Sequence, residues 1–368
     1  MSIIFDGKFQ GCKHPIEQFN KMKKNIQKIQ VKGMSLEKLQ EFCLGAGETK
    51  FRGTQLFEWM YRHGITNFEK MTNINKSFRQ YLIDNCLIHT LEIEKLSASK
   101  NEETIKFLLR TIDGQFIEAV SMVDGRRHTV CISSQAGCAL DCHFCATAKL
   151  GLLRNLSGGE IIDQLIYVRK KVKKPITNIV YMGMGEPFHN YDSVLESADI
   201  LHHPKGFNLA ASRITISTVG MLPQIKKYIK EGRKYKLAIS LNSADDKTRS
   251  KIMPINKKWQ IKDLIQAGRE YSNQKRRIIM FEYVLLAGIN DSKKDALELG
   301  RLLKGIPCKL NLIPYNETDG EFRRPDEKTI NDFADILFEH QDAYRVLMRW
   351  SKGQDIEAGC GQLAGLQT

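Results

Sequence analysis

Cys138, Cys142 and Cys145 form a C-x3-C-x2-C run, and no other feature restricts this chain as much. Three thiolates at that spacing can hold three irons of a cubane cluster from one short loop. The fourth iron is then open to a ligand that is not protein, whereas ordinary ferredoxin-type clusters take four cysteines. The competing reading is a structural zinc knuckle. Cys131 lies seven residues upstream and supplies a fourth thiolate, which is the number such a site wants. Zinc sites more often show two C-x2-C halves well separated in sequence, so the spacing favours the cluster.

The surroundings of the loop narrow its setting. The chain has 368 residues, enough for two domains. No apolar run approaches the roughly 20 residues of a membrane span. The start, Met1-Ser-Ile-Ile-Phe-Asp-Gly-Lys8, lacks the h-region of a secretory signal. Nine cysteines without such a signal point to a reducing, cytoplasmic setting, where clustered cysteines bind metal or do chemistry. The net charge is +14, and basic clusters recur at Lys21-Met22-Lys23-Lys24, Arg169–Lys174, Lys275-Arg276-Arg277 and Arg323-Arg324. Any one run can be a solvated face, but the whole-chain balance favours a polyanion, with nucleic acid the obvious one.

Residues 1–32 read as a basic extension rich in lysine and glutamine. Residues 33–91 read as a small helical domain, with stripes at Leu36, Leu39 and Cys43 and at Leu56, Phe57, Met60 and Tyr61. Residues 92–127 turn to β: Thr104–Leu109 and Phe116–Val123 flank an Asp113-Gly114 turn and predict a hairpin extension. Glu118 stands there among Phe116, Ile117, Ala119 and Val120. On sequence alone it reads as a carboxylate on the solvated face of an edge strand. From 128 to 350, six apolar runs alternate with helical patterns: His128–Ser133, Thr177–Met182, Arg213–Thr218, Tyr235–Leu241, Ile278–Leu286 and Cys308–Ile313. Short runs of this kind suit parallel strands buried on both faces. Ser157-Gly-Gly-Glu160 is a capping box that starts one of the helices. The fold class is α/β: six β/α units form an open partial barrel or a doubly wound sheet. Ligands then sit at the carboxyl ends of the strands, and the cysteine loop follows the first of them. Residues 351–368 form a C-terminal loop.

Several polar groups fall at those strand ends. Gly183-Met-Gly185-Glu186-Pro187 closes the second run; glycine allows close backbone approach, and Glu186 can accept a hydrogen bond from an amine. Ser217 ends the third run, Ser240, Leu241 and Asn242 end the fourth, and Asn316 follows the sixth. Each polar one is singly a common turn cap, and together they make a cofactor pocket. Cys360 lies between Gly359 and Gly361, which suits a mobile nucleophile, and Cys131 is a second unassigned thiol.

With these motifs together, the chain resembles the RlmN/Cfr family of radical S-adenosylmethionine (radical SAM) RNA methyltransferases. The resemblance is carried by Cys131–Cys138, the cysteine loop with Ala146-Thr147, Met182–Pro187, Ser217-Thr218, Met253–Asn256, Gly288–Asp291, Asn311–Asn316, Cys360–Leu363 and Phe51–Tyr61. It spans about residues 34–365. It implies a partial (β/α)6 radical SAM barrel with a helical accessory domain that binds RNA. It also implies a [4Fe-4S] cluster on Cys138, Cys142 and Cys145. S-adenosylmethionine would be held by Gly185, Glu186, Ser217, Ser240, Leu241, Asn242 and Asn316. One SAM methylates Cys360, and a second yields a 5′-deoxyadenosyl radical that takes hydrogen from that methyl. The carbon radical adds to adenine, Glu118 removes the ring proton, and Cys131 attacks Cys360 to release product and leave a disulfide.

One branch of the family methylates carbon 2 of an adenosine in 23S rRNA and of the adenosine beside the anticodon in tRNA. The other methylates carbon 8 of the rRNA base. Pro187 and the full N-terminal domain favour carbon 2. Two departures from the family pattern stand out: Asn242 in place of His, and Gly359 in place of Ala. The resemblance further implies an electron donor such as flavodoxin. Nothing in the sequence signals an oligomer, so a monomer is expected. The rival reading, a non-catalytic RNA-binding protein with zinc on Cys131, Cys138, Cys142 and Cys145, leaves Glu186, Cys360 and the six β/α units without a purpose.

Overall fold

The structure, a computed structural model, describes residues 28–101, 103–274, 277–339 and 342–365. Most of the basic extension, with Lys21–Lys24, and the Lys275-Arg276 pair lie outside them.

Two short strands, β1 (Ile29–Gln30) and β2 (Cys86–Leu87), pair in parallel and tie together the ends of the helical domain. Its first helix, α1 (Leu36–Gly45), starts at Ser35, whose hydroxyl accepts the Lys38 N–H. It buries Leu39 and Cys43, two positions of the stripe read from the sequence. Helix α2 (Lys50–Phe57) runs on into a π-turn at Glu58–Arg62, and α3 (Lys76–Asn85) completes the unit. Leu56, Phe57, Met60 and Tyr61 are all buried.

Strands β3 (Leu91–Ala98), β4 (Thr104–Thr111), β5 (Phe116–Asp124) and β6 (Arg127–Ile132) follow as antiparallel neighbours. The predicted hairpin is β4–β5, but it is continuous with the main sheet. The Gly125-Arg126 turn folds β5 directly onto β6, with Val120 opposite Cys131. Glu118 therefore lies on an interior strand and is 2% exposed, which corrects the solvated-edge reading. The sequence showed both strands of the hairpin and the run His128–Ser133, but not that this run pairs with β5.

The cysteine loop is framed by a small antiparallel pair, β7 (Gln135–Gly137) and β8 (Leu152–Asn155). The chain then alternates: α4 (Gly158–Lys171), β9 (Asn178–Tyr181), α5 (Tyr191–His202), β10 (Ile214–Thr218), α6 (Leu222–Lys230), β11 (Lys236–Ser240), α7 (Asp246–Ile252), α8 (Ile261–Ser272), β12 (Ile279–Leu285), α9 (Lys293–Leu303), β13 (Cys308–Pro314), α10 (Glu327–Glu339) and β14 (Tyr344–Met348). The strand order is β14-β13-β12-β11-β10-β9-β6-β5-β4-β3, and pairing is parallel from β6 through β9 to β14. Six of the parallel strands are the six apolar runs. The seventh, β14, escaped the sequence because Arg345 and Leu347 are exposed while Tyr344 and Val346 are buried. It alternates where the others are continuous. The capping box forms as read: Ser157 Oγ accepts the Glu160 N–H, and the Glu160 carboxylate accepts the Ser157 N–H.

A buried ion pair docks the helical domain on the barrel. Lys32 Nζ lies 3.2 Å from Asp163 Oδ1 on α4, and both side chains are fully buried. Asp163 Oδ2 also accepts the backbone and hydroxyl hydrogens of Thr90, each at 2.8 Å. Burial pushes the Lys32 ammonium below its ordinary value while Asp163 pulls it back up. Nearby, Tyr61 accepts the Gly33 N–H and donates to the Met34 carbonyl. Removing one charge strands the other in a dry site, which typically costs about 3–5 kcal/mol. Asp163→Asn should lose stability of that order in urea unfolding. The Lys32→Met/Asp163→Asn double variant should recover most of it. Additive losses would show that the pair does not couple the two units.

Candidate active site

The three loop cysteines face one cavity at the carboxyl ends of the parallel strands, with Glu186, Ser217, Ser240 and Asn242 around it. Burial pushes the Cys138 thiol up to about 12 and raises Cys142 and Cys145 as well. Backbone amides point at the sulfurs, from Leu140 toward Cys138 and from Thr147 and Ala148 toward Cys145. Desolvated thiols that already carry amide donors suit ligation by iron, which removes their protons and supplies the missing positive charge. Among the described residues no three His, Cys, Asp or Glu side chains converge as they would on a single ion. A tetrahedral zinc site needs that convergence; a cubane asks only for three thiolates on three different irons. The residues fit the cluster better than zinc.

Opposite the loop, Gly185 adopts φ 93°, and a Cβ there would lie 2.5 Å from that of Gln135. Only glycine lets the turn close on Gln135, whose Oε1 accepts the Glu186 N–H at 2.8 Å. Glu186 is 2% exposed. Its carboxylate accepts the N–H groups of Phe188 and Val219, each at 2.9 Å. Desolvation outweighs these bonds and raises its pKa to about 7. A donor arriving from an amine would relieve that.

Other expected positions turn out differently. Ser217 Oγ donates to Glu282 Oε2 at 2.8 Å, and Ser240 Oγ reaches the same oxygen at 3.5 Å. Asn242 lines the cavity in a left-handed conformation (φ 55°), but its Oδ1 accepts the Val284 N–H and its amide donates to the Met253 sulfur. Its polar atoms hold the turn. Leu241 is fully buried, with its carbonyl accepting from Arg249, and does not line the cavity. Asn316 also stands back: its amide donates to the Cys360 carbonyl at 3.0 Å.

Three charged residues were missed. Glu282 is 5% exposed in the middle of β12, and among the described residues its Oε1 has no hydrogen-bond partner. A lone acid inside Ile279–Leu285 was the available signal. Arg249 is wholly buried and donates to the carbonyls of Leu241, Ser240 and Val219 and to Asn256 Oδ1. It gathers the ends of β10 and β11 beneath the cluster loop. Arg349 follows β14, lies 3.7 Å from Glu282, and its charge faces Cys360 and Cys131.

The C-terminal residues return to this end of the sheet. Thr147 Oγ1 donates to the Leu363 carbonyl at 2.5 Å, and the Ala146 N–H to the Gly361 carbonyl at 2.7 Å. Cys360 is thereby placed on the wall between the cluster cavity and a second, larger one, which Cys131 also lines. Burial pushes the Cys131 thiol up to about 12. The expected disulfide is absent: among the described residues every cysteine is a free thiol, and the pair shares a cavity without being joined. Glu118 lines neither cavity. Its Oε2 accepts the N–H groups of Ala364 and Gly365, at 2.8 and 3.1 Å, and Lys106 Nζ lies 3.2 Å from its Oε1. Its surroundings are thus polar where the sequence suggested apolar neighbours.

Comparison with known proteins agrees with this geometry. Residues 29–88 match the family described as Ribosomal RNA large subunit methyltransferase N-terminal domain, and residues 132–300 match the Radical SAM superfamily. Dual-specificity RNA methyltransferase RlmN of Desulfotalea psychrophila is 43% identical over 355 residues, covering 94% of this chain and 97% of the relative. That of Geobacter sulfurreducens is 43% identical over 340 residues, covering 92% of each. A radical SAM methyltransferase of Sphaerobacter thermophilus superposes with a TM-score of 0.88 at 40% identity, covering 92% of this chain and 100% of that one. Identity at this level over almost the whole length, on a matching fold, places the chain in the RlmN family of dual-specificity RNA methyltransferases, a branch of the radical SAM superfamily.

Proposed function

We propose that this protein methylates carbon 2 of an adenosine in 23S rRNA and of the adenosine beside the anticodon in tRNA, using Cys360 as the methyl carrier. The observation that carries the reading is the place of Cys360 on the wall between two cavities. One is the cofactor side; the other has room for a nucleotide. The relatives are named RlmN, which disfavours the carbon 8 outcome. The family's cofactors are a [4Fe-4S] cluster and S-adenosylmethionine. Cys138, Cys142 and Cys145 would hold the cluster, and Glu186 the amino group of SAM. When bound, they supply a methyl group and, on one-electron reduction, a 5′-deoxyadenosyl radical.

The chain's own residues do the rest. Cys360 Sγ exchanges its proton for the methyl group, with the Arg349 guanidinium facing it. Carried across the wall, the methyl carbon meets an adenine ring carbon in the second cavity. Cys131, lining that cavity, then attacks the Cys360 sulfur: the new S–S bond replaces the S–C bond, and the carbon leaves with that electron pair and takes up a proton as the methyl group of the freed base. Glu118 takes the ring proton in this scheme, after Ala364 and Gly365 let go of its carboxylate. The free thiols suit a reducing, cytoplasmic setting, and among the described residues no helix is long and apolar enough to cross a membrane. A flavodoxin-like electron donor and a monomer belong to the same reading.

Nucleoside mass spectrometry of 23S rRNA fragment and tRNA, incubated with cluster-loaded protein, SAM and reductant, tests it. Expected is 2-methyladenosine with the wild type and none with Cys360→Ala. The appearance of 8-methyladenosine would overturn the regiochemistry, and methylation by Cys360→Ala the carrier role. Glu186 gives a pH signature. Its carboxyl is protonated below about 7, and only the ionised form accepts from an amine. SAM affinity measured by calorimetry should weaken roughly tenfold per pH unit below that value. In Glu186→Gln the affinity should be lower throughout and this dependence should vanish. The same slope in both proteins would exclude Glu186 from the amine contact.

A further inference from the structure

The larger cavity has a floor that the chemistry above leaves unused. Cys131, Val180, Thr215 and Lys236 stand in register across β6, β9, β10 and β11. Met280 and Lys309 pair across β12 and β13. Arg127, Lys236 and Lys309 all line the cavity below Cys131 and Cys360. Among the described residues none of these three cations has a carboxylate or a hydrogen-bond acceptor for its side chain, whereas the nearby Asp124 is already paired with Lys352 at 3.2 Å. Lys236 is half-buried. Its ammonium is pushed below its ordinary value by burial first, then by Lys309, Arg127 and Arg213. Like charges gathered without a counter-charge repel one another, and an anion brought among them removes that cost. At the rim Trp350 is 48% exposed, with the Arg324 guanidinium 5.3 Å over its ring.

We infer that Arg127, Lys236 and Lys309 form a phosphate clamp for single-stranded RNA, gripping the backbone on either side of the target nucleotide while its base reaches up to Cys360. Trp350 offers a stacking face for a neighbouring base. The inference rests on the RNA methyltransferase reading and assigns the residues that grip the substrate. A chain is favoured over a free nucleotide because the cations come from separate strands. β6 and β11 are three strand spacings apart, about 14 Å along the sheet, more than one phosphate group spans. Single-stranded RNA is favoured over a duplex because the cations line a cavity rather than a convex face.

The test titrates a stem-loop RNA carrying the target adenosine in its loop, and the same RNA with neutral methylphosphonates at the two linkages flanking that adenosine. The proteins are the cluster-loaded wild type, Lys236→Gln/Lys309→Gln, Lys236→Arg/Lys309→Arg and the exposed single variant Arg127→Gln, each checked for a wild-type melting temperature. The double Gln variant should bind the unmodified RNA about tenfold more weakly. Its plot of log affinity against log salt should be shallower by about 1.4, from two lost contacts at roughly 0.7 each. The Arg pair should bind like the wild type. The methylphosphonates should weaken the wild type by a similar factor and the double Gln variant little further. Unchanged affinity in both Gln proteins, or an equal methylphosphonate penalty in wild type and double variant, would overturn the clamp and leave the methyltransferase standing. A wild type that neither binds nor methylates either RNA would overturn both.

Discussion

The arrangement of this molecule depends on how the last few residues of the described chain are fastened. Ala364 and Gly365 donate to Glu118 on β5, Leu363 and Gly361 accept from Thr147 and Ala146 beside the cysteine loop, and Cys360 accepts from Asn316 after β13. Three distant parts of the sequence thus converge on one short segment, and each fixes a different side of it. A neutral hydrogen bond of this kind is worth about 0.5–1.5 kcal/mol net, and one to a carboxylate about 1.5–3. Individually they are weak enough to exchange for water or RNA; together they hold Cys360 on the wall between two cavities. Without that fastening, nothing would keep Cys360 where both cavities meet.

The interior of the barrel repeats one device. Glu186, Glu282, Arg249 and Lys236 each carry charge into a poorly solvated place, and for each the protein offers incomplete compensation. Glu186 receives two backbone N–H groups, and burial still dominates its pKa. Arg249 receives carbonyls but, among the described residues, no carboxylate partner, and burial lowers its pKa to about 10. Glu282 keeps one oxygen without a hydrogen-bond partner. Groups left in this state are concentrated where ligands bind, because a ligand completes what the fold leaves open. The Lys32–Asp163 pair is the contrast: its charges meet each other, and its role is to dock two units.

Much of this was legible in the sequence, and what was missed has physical causes. The capping box at Ser157 and the six apolar runs were read correctly because each is a local signal, and the cysteine spacing marked three thiols that line one cavity. Glu118 was misplaced because whether a strand is an edge depends on what pairs beyond it. β14 was missed because Arg345 and Leu347 interrupt its apolar run. Glu282 reads in sequence as an interruption of a strand, and only the fold turns it toward Ser217 and Ser240. Leu241 and Asn316 sit at the right end of the sheet yet point their contacts at Arg249 and Cys360. Proximity in the motif did not fix which way each side chain faces.

The two departures from the family pattern are explained by the same local geometry. Asn242 has φ 55°, a region where asparagine is tolerated better than most residues. Its side-chain oxygen holds the Val284 amide, and its own carbonyl accepts from Asn290. The residue therefore shapes the turn between β11 and the cavity whether or not it touches a ribose. Gly359 has a comparable reason. A Cβ at that position would come 2.7 Å from the Asn316 amide and 2.8 Å from Gln362 Oε1. Glycine leaves room for Gln362 to accept the Gly359 N–H and for Asn316 to reach the Cys360 carbonyl. An alanine there would need both side chains to withdraw, so the loop that carries Cys360 would have to be held differently. The small residue is thus part of the fastening, and its effect is felt one position along, at Cys360.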